Sequence, residues 1–567
     1  MRTRATLLGA VGLGALLAVA GTADAKPARR HHKTAAPAAP SALEQKVDQL
    51  QSQLQALAAR QDDANRQHAD DQAQITELRQ QLADERTRTE HAEAQADAEI
   101  KTIPGEVHSQ IAAAQPKDGK LRYRGVTLTL GGFAAAESVY RSKNEAADIG
   151  SSYSKIPFAN TPAGHTSELR GTARQSRLSL LAEGDITPEI HAGFYSEFDF
   201  LAGPQTANSN ESNSFSPRIR NLYGTLDWED RGLHLLVGQN WSLTTLNAKG
   251  ITPRNEVPPP TIEAQYVPGF TWARQPQVRL TADFDRKQVW AAVSLENPQT
   301  TFASAATGTT GTTIPGVSVV NTAAPTSQFD SANTLSLNHV PDVVGKLAFE
   351  PDLGGARPLH LEVYGVYRNF YDRVTISGTN LLNLPAGTSN RSTNGGGVGA
   401  GALWAVAPML DLQASVLTGT GVGRYGAGQL PDTIVGPDGS LKPIRETMFM
   451  AGATVHATKA LDLYVFGGEE RQDRLFSSIG GGTYGFGSTA ANLTNCAIEG
   501  ASCTADIHVM SQVTGGFWDK IYQGRFGQVR FGVQYSYTQL EAFSGAAGGV
   551  PKTSENMIFT SFRYYPF

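Results

Sequence analysis

Six arginines fall in stretches where polar and apolar residues alternate: Arg177, Arg218, Arg220, Arg279, Arg368 and Arg530. A guanidinium offers a planar fork of N–H donors that matches carboxylate and phosphate two bonds at a time, so a file of them binds and passes anions. Acidic residues occupy the same kind of stretch: Glu197, Asp199, Glu296, Glu350, Glu362 and Glu469. They supply the alternative for any one arginine, a structural ion pair in a wall with no solute involved. A second charged group lies in 243–273, where Lys249, Arg254, Glu256 and Glu263 are interleaved with Pro253, Pro258, Pro259, Pro260 and Pro268. Proline fixes φ, so this segment is stiff enough to fold into a lumen and bring charge to a constriction. The competing reading is a solvated outer loop.

Other constellations carry less. Gly419-Thr420-Gly421-Val422-Gly423 follows a strand pattern but opens no helix, and a phosphate-binding loop needs a helix N-terminus. His31 and His32 sit in a basic Ala/Pro-rich stretch; His191, His234, His360 and His456 lie in separate strand patterns with no readable partner. No metal site, cofactor site or catalytic triad is assigned, and the chain is not read as an enzyme. A net charge of −5 leaves no footprint for nucleic acid. Arg2 and Arg4, the apolar run Ala5 to Ala20 and Ala23-Asp24-Ala25 form a signal peptide over 1–25, so the chain is exported. In that compartment Cys496 and Cys503, close together in one Gly/Ala-rich segment, are expected to form a local disulfide.

The elements that position these residues follow from two periodicities. After a basic linker over 26–40, the segment 41–100 places Leu43, Val47, Leu50, Leu54 and Leu57 in steps of four and three. The same phase passes through polar Gln61, Ala64, His68 and Asp71 to Ile75, Leu78 and Leu82, which reads as an α-helical coiled coil. Its roughly 55 residues would span about 80 Å. One such helix cannot bury its stripe, so self-association is implied, with His68 setting register rather than binding metal. A linker over 101–120 follows.

From Leu121 the period becomes two. Val278, Leu280, Ala282 and Phe284 alternate with Gln277, Arg279, Thr281 and Asp283, and Val529, Phe531, Val533 and Tyr535 with Gln528, Arg530 and Gln534. One face suits hydrocarbon and the other water. Short connections, such as Glu229-Asp230-Arg231 and Asp285-Arg286, alternate with long ones at about 141–173, 202–216, 242–275, 298–340, 370–395, 420–445, 472–505 and 540–554. The chain ends in an alternating stretch closing on Phe567. These features predict an all-β transmembrane barrel over 121–567, of about sixteen antiparallel strands with both ends on one side. One strand resists the pattern: Leu222 and Leu226 share the parity of Arg218 and Arg220, which requires a bulge or an end effect.

From about Leu121 to Phe567 the sequence resembles the DcaP-like group of trimeric outer-membrane porins, which also carry an N-terminal periplasmic coiled coil. The resemblance is carried in order by Gly238-Gln239-Asn240-Trp241-Ser242, Arg274-Gln275-Pro276-Gln277-Val278-Arg279, Glu296-Asn297-Pro298 and Pro341-Asp342-Val343-Val344. Gly421-Val422-Gly423-Arg424-Tyr425, Gly467-Gly468-Glu469, Gly516-Phe517-Trp518 and Arg563-Tyr564-Tyr565-Pro566-Phe567 continue it. It implies a homotrimer in outer-membrane lipid with three pores for small anionic solutes such as dicarboxylates. The alternatives are a phosphate-selective or non-selective porin, or a barrel-anchored tether whose coiled coil holds peptidoglycan or a periplasmic protein.

Overall fold

The computed structural model describes residues 52, 72–74, 76–91, 120–201, 210, 213–303, 314–319, 335–351, 353 and 358–567. The expected signal peptide, the basic linker, most of the heptad segment before Gln72 and the linker up to residue 119 lie outside these residues. Within the heptad segment, 72–74 and 76–91 are helical. Leu78 and Leu82, four apart on one face, are 63% and 56% exposed.

The rest of the chain closes into sixteen antiparallel staves. The first are β1 (Val126–Arg141), β2 (Glu168–Thr172 continued by Arg177–Thr187), β3 (Ile190–Asp199) and β4 (Arg218–Trp228). Next come β5 (Leu233–Trp241), β6 (Arg274–Phe284), β7 (Val289–Glu296) and β8 (Asp342–Phe349). Then follow β9 (Leu359–Ile376), β10 (Gly387–Ala407), β11 (Leu410–Thr420) and β12 (Arg445–His456). The last are β13 (Leu461–Gln472), β14 (Ile507–Gly524), β15 (Gly527–Ala542) and β16 (Lys552–Tyr565). Each stave pairs with the next, and β16 pairs back onto β1 from Tyr564 opposite Ala134 to Met557 opposite Arg141. No edge is left open, which is what lets a sheet stand in hydrocarbon.

The barrel is inside-out relative to a soluble core. On β6, Val278 and Leu280 are each 48% exposed on the outer face, while Gln277, Arg279 and Thr281 between them are buried on the inner one. Turns on one rim are short: at Gly232, with φ +60°, an added Cβ would sit 2.7 Å from the Asp283 carbonyl oxygen, so a side chain would disturb the turn between β4 and β5. Loops on the other rim are long. The loop expected over 370–395 shrinks to 377–386, because β9 and β10 stay paired from Leu359 opposite Trp404 up to Ile376 opposite Gly387. Cys496 and Cys503 are joined by a disulfide in the seventh long loop.

Two facing problems resolve. Opposite Glu197 and Phe198 the register of β4 shifts between Ile219 and Asn221, so Arg220 and Asn221 are both buried while Ile219 and Leu222 both face out. That bulge restores the alternation that Arg218 and Arg220 had broken. Glu469, expected in the lumen, instead shares the outward parity of Leu463 and Val465. It pairs with Arg471 at 2.9 Å near the long-loop end of β13, where charge need not cross hydrocarbon.

Candidate functional site

The third long loop, 242–273, lies inside the barrel. Its base is closed by the Ser242 N–H donating to the Ala273 carbonyl at 2.8 Å. From there it touches wall after wall. The Gly269 N–H donates to Glu470 at 2.8 Å on β13, and the Ile262 N–H to Gln534 at 2.6 Å on β15. Trp518 of β14 donates its indole N–H to the Pro260 carbonyl at 2.8 Å, and Gln413 of β11 its amide to the Val257 carbonyl at 2.8 Å. The proline run thus presents carbonyls that need donors, and the staves provide them.

Farther along, the loop reaches the short-turn rim. Lys346, fully buried on β8, donates to the Thr245 carbonyl at 2.7 Å, to Asn247 Oδ1 at 3.1 Å and to Glu362 at 2.8 Å. Glu362 also accepts from the Asn247 N–H at 3.2 Å, and Glu350 accepts from the Gly250 N–H. Lys249 stands exposed at this tip. Arg254 lies 3.4 Å from Glu183 and over the Tyr195 ring, and Glu256 accepts from Asn240 at 3.3 Å.

Among the described residues two cavities border the loop as chambers, one toward each rim, and share Leu201 and Ala264. The long-loop chamber, about 640 Å³, is lined by Lys155, Arg174, Arg218 and Arg274, with Asp148 opposing them. The short-turn chamber, about 510 Å³, is lined by Arg177, Arg220, Arg530 and Arg563, against Glu263, Asp411 and Asp462. The sequence-selected residues therefore divide. Arg218 reaches the first chamber, while Arg177, Arg220, Arg530 and Glu263 reach the second. Arg279, 2% exposed, is held by Gln277 at 3.0 Å and by the Trp241 carbonyl. Arg368 is clamped by Asp342 at 3.2 Å and Asp432 at 2.6 Å. Both are sealed within the wall and line neither chamber.

The chamber arginines differ in what holds them. Arg218 makes a two-bond fork with Asp199 at 2.8 Å, and Arg220 bonds Glu197 at 2.5 Å and Asp199 at 2.7 Å. Arg563 bonds Glu137 at 2.9 Å. Arg177 lies 3.7 Å from Glu197, and its Nε is buried with no hydrogen-bond partner. Arg274 stacks against Trp241 at 4.8 Å and Trp272 at 5.2 Å, and its Nη1 is also buried without a partner. Buried donors are normally satisfied, so these two N–H groups, like the Trp272 indole N–H beside Arg274, are exceptions at the site. Arg174, Arg274, Arg563 and Lys346 were not selected from sequence as site residues. The signal for Arg274 was its place at the head of Arg274-Gln275-Pro276-Gln277-Val278-Arg279, one of the stretches that carry the porin resemblance.

Glu263 is buried where the loop crosses the lumen, accepting from the Ser151 N–H at 2.8 Å and the Ser151 hydroxyl at 2.7 Å. Burial pushes its carboxyl up to about 7, against the opposing influence of Arg141 and the donated hydrogen bonds. A raised carboxyl is neutral below that pH and charged above it, so its proton favours the folded loop at low pH. Raising the pH from 6 to 8 should add one negative charge beside the constriction and cut the anion-to-cation permeability ratio by up to about fivefold, at about 1 kcal/mol per contact in water. Reversal potentials measured across that range check this, and Glu263→Gln should flatten the dependence.

The histidines left without partners in the sequence have them here. His234 on β5 bridges Asp227 at 2.7 Å and Asp283 at 2.9 Å; His456 on β12 bridges Asp462 at 2.7 Å and Asp411 at 3.1 Å. His360 on β9 bridges Glu350 and Glu362, each at 3.1 Å, and His191 on β3 pairs with Asp185 at 2.9 Å. All four stand at the short-turn ends of their staves.

No family model matches the chain, and no curated protein matches it. Among solved structures it is similar to the outer membrane channel DcaP of Acinetobacter baumannii, at 19% identity over 78% of this chain and 99% of that one, TM-score 0.53. It is also similar to OmpT, an outer membrane protein of Vibrio cholerae, at 11% identity over 79% and 99%, TM-score 0.40. A third is an anion-selective porin from Comamonas acidovorans, at 12% identity over 78% and 99%, TM-score 0.41. The barrel of this chain has the fold of the DcaP channel, as the resemblance in its residues implied.

Proposed function

We propose that this chain is a passive outer-membrane diffusion channel that prefers small anions. The observation that carries the reading is the lining of the two chambers. Among the described residues cationic side chains outnumber acidic ones in both, and Arg274 forms an ion pair with none of the acids. An anion entering from the long-loop side meets Arg274 first and Arg177 after the constriction, and exchanges its water for guanidinium donors at each. Arg218 and Arg220 keep their charges near the path but are tied to Asp199 and Glu197, which grades the attraction rather than trapping the solute.

The same reading takes 1–25 as a signal peptide and 41–100 as a periplasmic coiled coil that joins three copies. The exposure of Leu78 and Leu82 on one helix face supports self-association, because a lone helix leaves that stripe in water. The direct experiment is the reversal potential of single purified channels in a planar bilayer under a KCl gradient. Stepwise current with an anion-selective reversal is expected. Cation selectivity would remove the anion assignment, and no steps at all would leave the barrel as an anchor.

A further inference from the structure

We propose that His360 is a positioning residue that holds the tip of the third long loop at the short-turn mouth of the barrel. Both ring nitrogens face carboxylate oxygens, Nδ1 at 3.1 Å from Glu350 and Nε2 at 3.1 Å from Glu362. Both must therefore donate, which only the doubly protonated ring can do. The acceptors are the two carboxylates on which the loop hangs. The Glu350 oxygen that receives His360 also receives the Gly250 N–H, and the Glu362 oxygen that receives it also receives the Asn247 N–H. Lys346 completes the group from β8 through Glu362, and Lys249 of the loop is the other charge beside Glu350.

His234 and His456 have the same carboxylate-bridged chemistry, yet they are tied to aspartates on neighbouring staves or turns. Asp227, Asp283, Asp411 and Asp462 make no bond to the loop among the described residues. Those two bridges lace staves together. The His360 bridge instead aims two carboxylate acceptors at the Asn247 and Gly250 N–H groups of the loop tip, where Lys346 holds the Thr245 carbonyl and Asn247 Oδ1 from β8. Removing the ring donors leaves Glu350 free to turn from the loop and Glu362 held by Lys346 alone, so both charged acceptors of the tip are loosened together.

The test reads the loop tip directly, so it does not depend on conduction. A nitroxide on Lys249→Cys, with the native disulfide intact, reports mobility by electron paramagnetic resonance in folded, detergent-solubilised protein. His360→Phe should raise the mobile fraction about tenfold, the equilibrium change for losing one charge-assisted hydrogen bond. His360→Arg, which keeps donors and charge, should restore the immobile spectrum. His456→Phe should leave it unchanged. In the wild type the mobile fraction should rise as alkaline pH removes the second ring proton, and in His360→Arg it should not. An immobile label in His360→Phe, or equal mobility in His456→Phe, would overturn the assignment. Should His360→Phe fail to fold, the pH series on wild type and His360→Arg decides alone: parallel curves would reject the role. The consequence for flow rests on the channel reading: a released tip should make the open-channel current flicker.

Discussion

Arg274→Glu should cut the anion-to-cation permeability ratio about thirtyfold, read from the reversal potential under a salt gradient. The substitution changes the charge beside a passing ion by two units, each worth about 1 kcal/mol at 4 Å in water, and 1.36 kcal/mol is a factor of ten. Arg274 is the position where this effect is expected, because among the described residues no carboxylate forms an ion pair with it and it is held instead between Trp241 and Trp272. Arg279→Gln should change selectivity little, since that guanidinium already donates to Gln277 and the Trp241 carbonyl behind the loop. Arg373→Glu is the outer-wall control: its side chain is exposed and bonds Asn390 at 2.8 Å, away from both chambers. If Arg274→Glu and Arg373→Glu shift the reversal equally, a general surface potential sets selectivity and the Arg274 site does not.

The second large effect is on conductance. Gly468 lies on the inner face of β13, where an added Cβ would meet the Pro268 carbonyl oxygen at 2.1 Å and the Phe449 carbonyl oxygen at 2.8 Å. Both obstacles are backbone, so no side-chain rotation relieves them. Gly468→Val should lift the arm of the third loop that carries Val267 and Phe270 off the wall. Single-channel conductance should then rise about threefold, toward that of an unobstructed sixteen-strand lumen. The overpacking costs about 1–3 kcal/mol, small beside a closed barrel ladder, so folding is expected to survive. Gly269→Ala attacks the same contact from the loop side, with a Cβ 1.9 Å from the Phe449 carbonyl oxygen at φ +88°. Wild-type conductance in both variants, with folded barrels shown by strand circular dichroism, would mean that the loop does not set the bore.

The staves were legible because hydrocarbon imposes a simple rule: alternate residues must be apolar wherever the wall meets lipid. That is why Val278 and Leu280 could be assigned outward and Arg279 inward from sequence. The same rule exposed the parity conflict between Arg218 and Leu222 but left a bulge and an end effect both open; the register shift at Arg220 decides for the bulge. The stiff proline segment announced a loop that could enter the lumen. What stayed hidden was pairing. Arg368 meets Asp432 from a loop 64 residues away, and Arg220 meets two acids from the neighbouring stave, so spacing along the chain cannot tell a clamped arginine from a free one. The histidine bridges were invisible for the same reason, since Asp227 and Asp283 reach His234 from the staves on either side. Glu469 misled because the hydrocarbon rule lapses at a strand's outer end, where a charge can face outward beside Arg471.

The third loop also imposes an order of events on folding. Its N–H groups at Ile262 and Glu263 await Gln534, up to 272 residues farther along the chain, and its carbonyl at Pro260 awaits Trp518. These partners exist as a wall only after the last staves have joined β1. Contacts of such sequence separation form late, because closing the intervening chain must come first. The obstruction is therefore installed after the bore is built, and a barrel caught before that moment is a wider hole than the finished one.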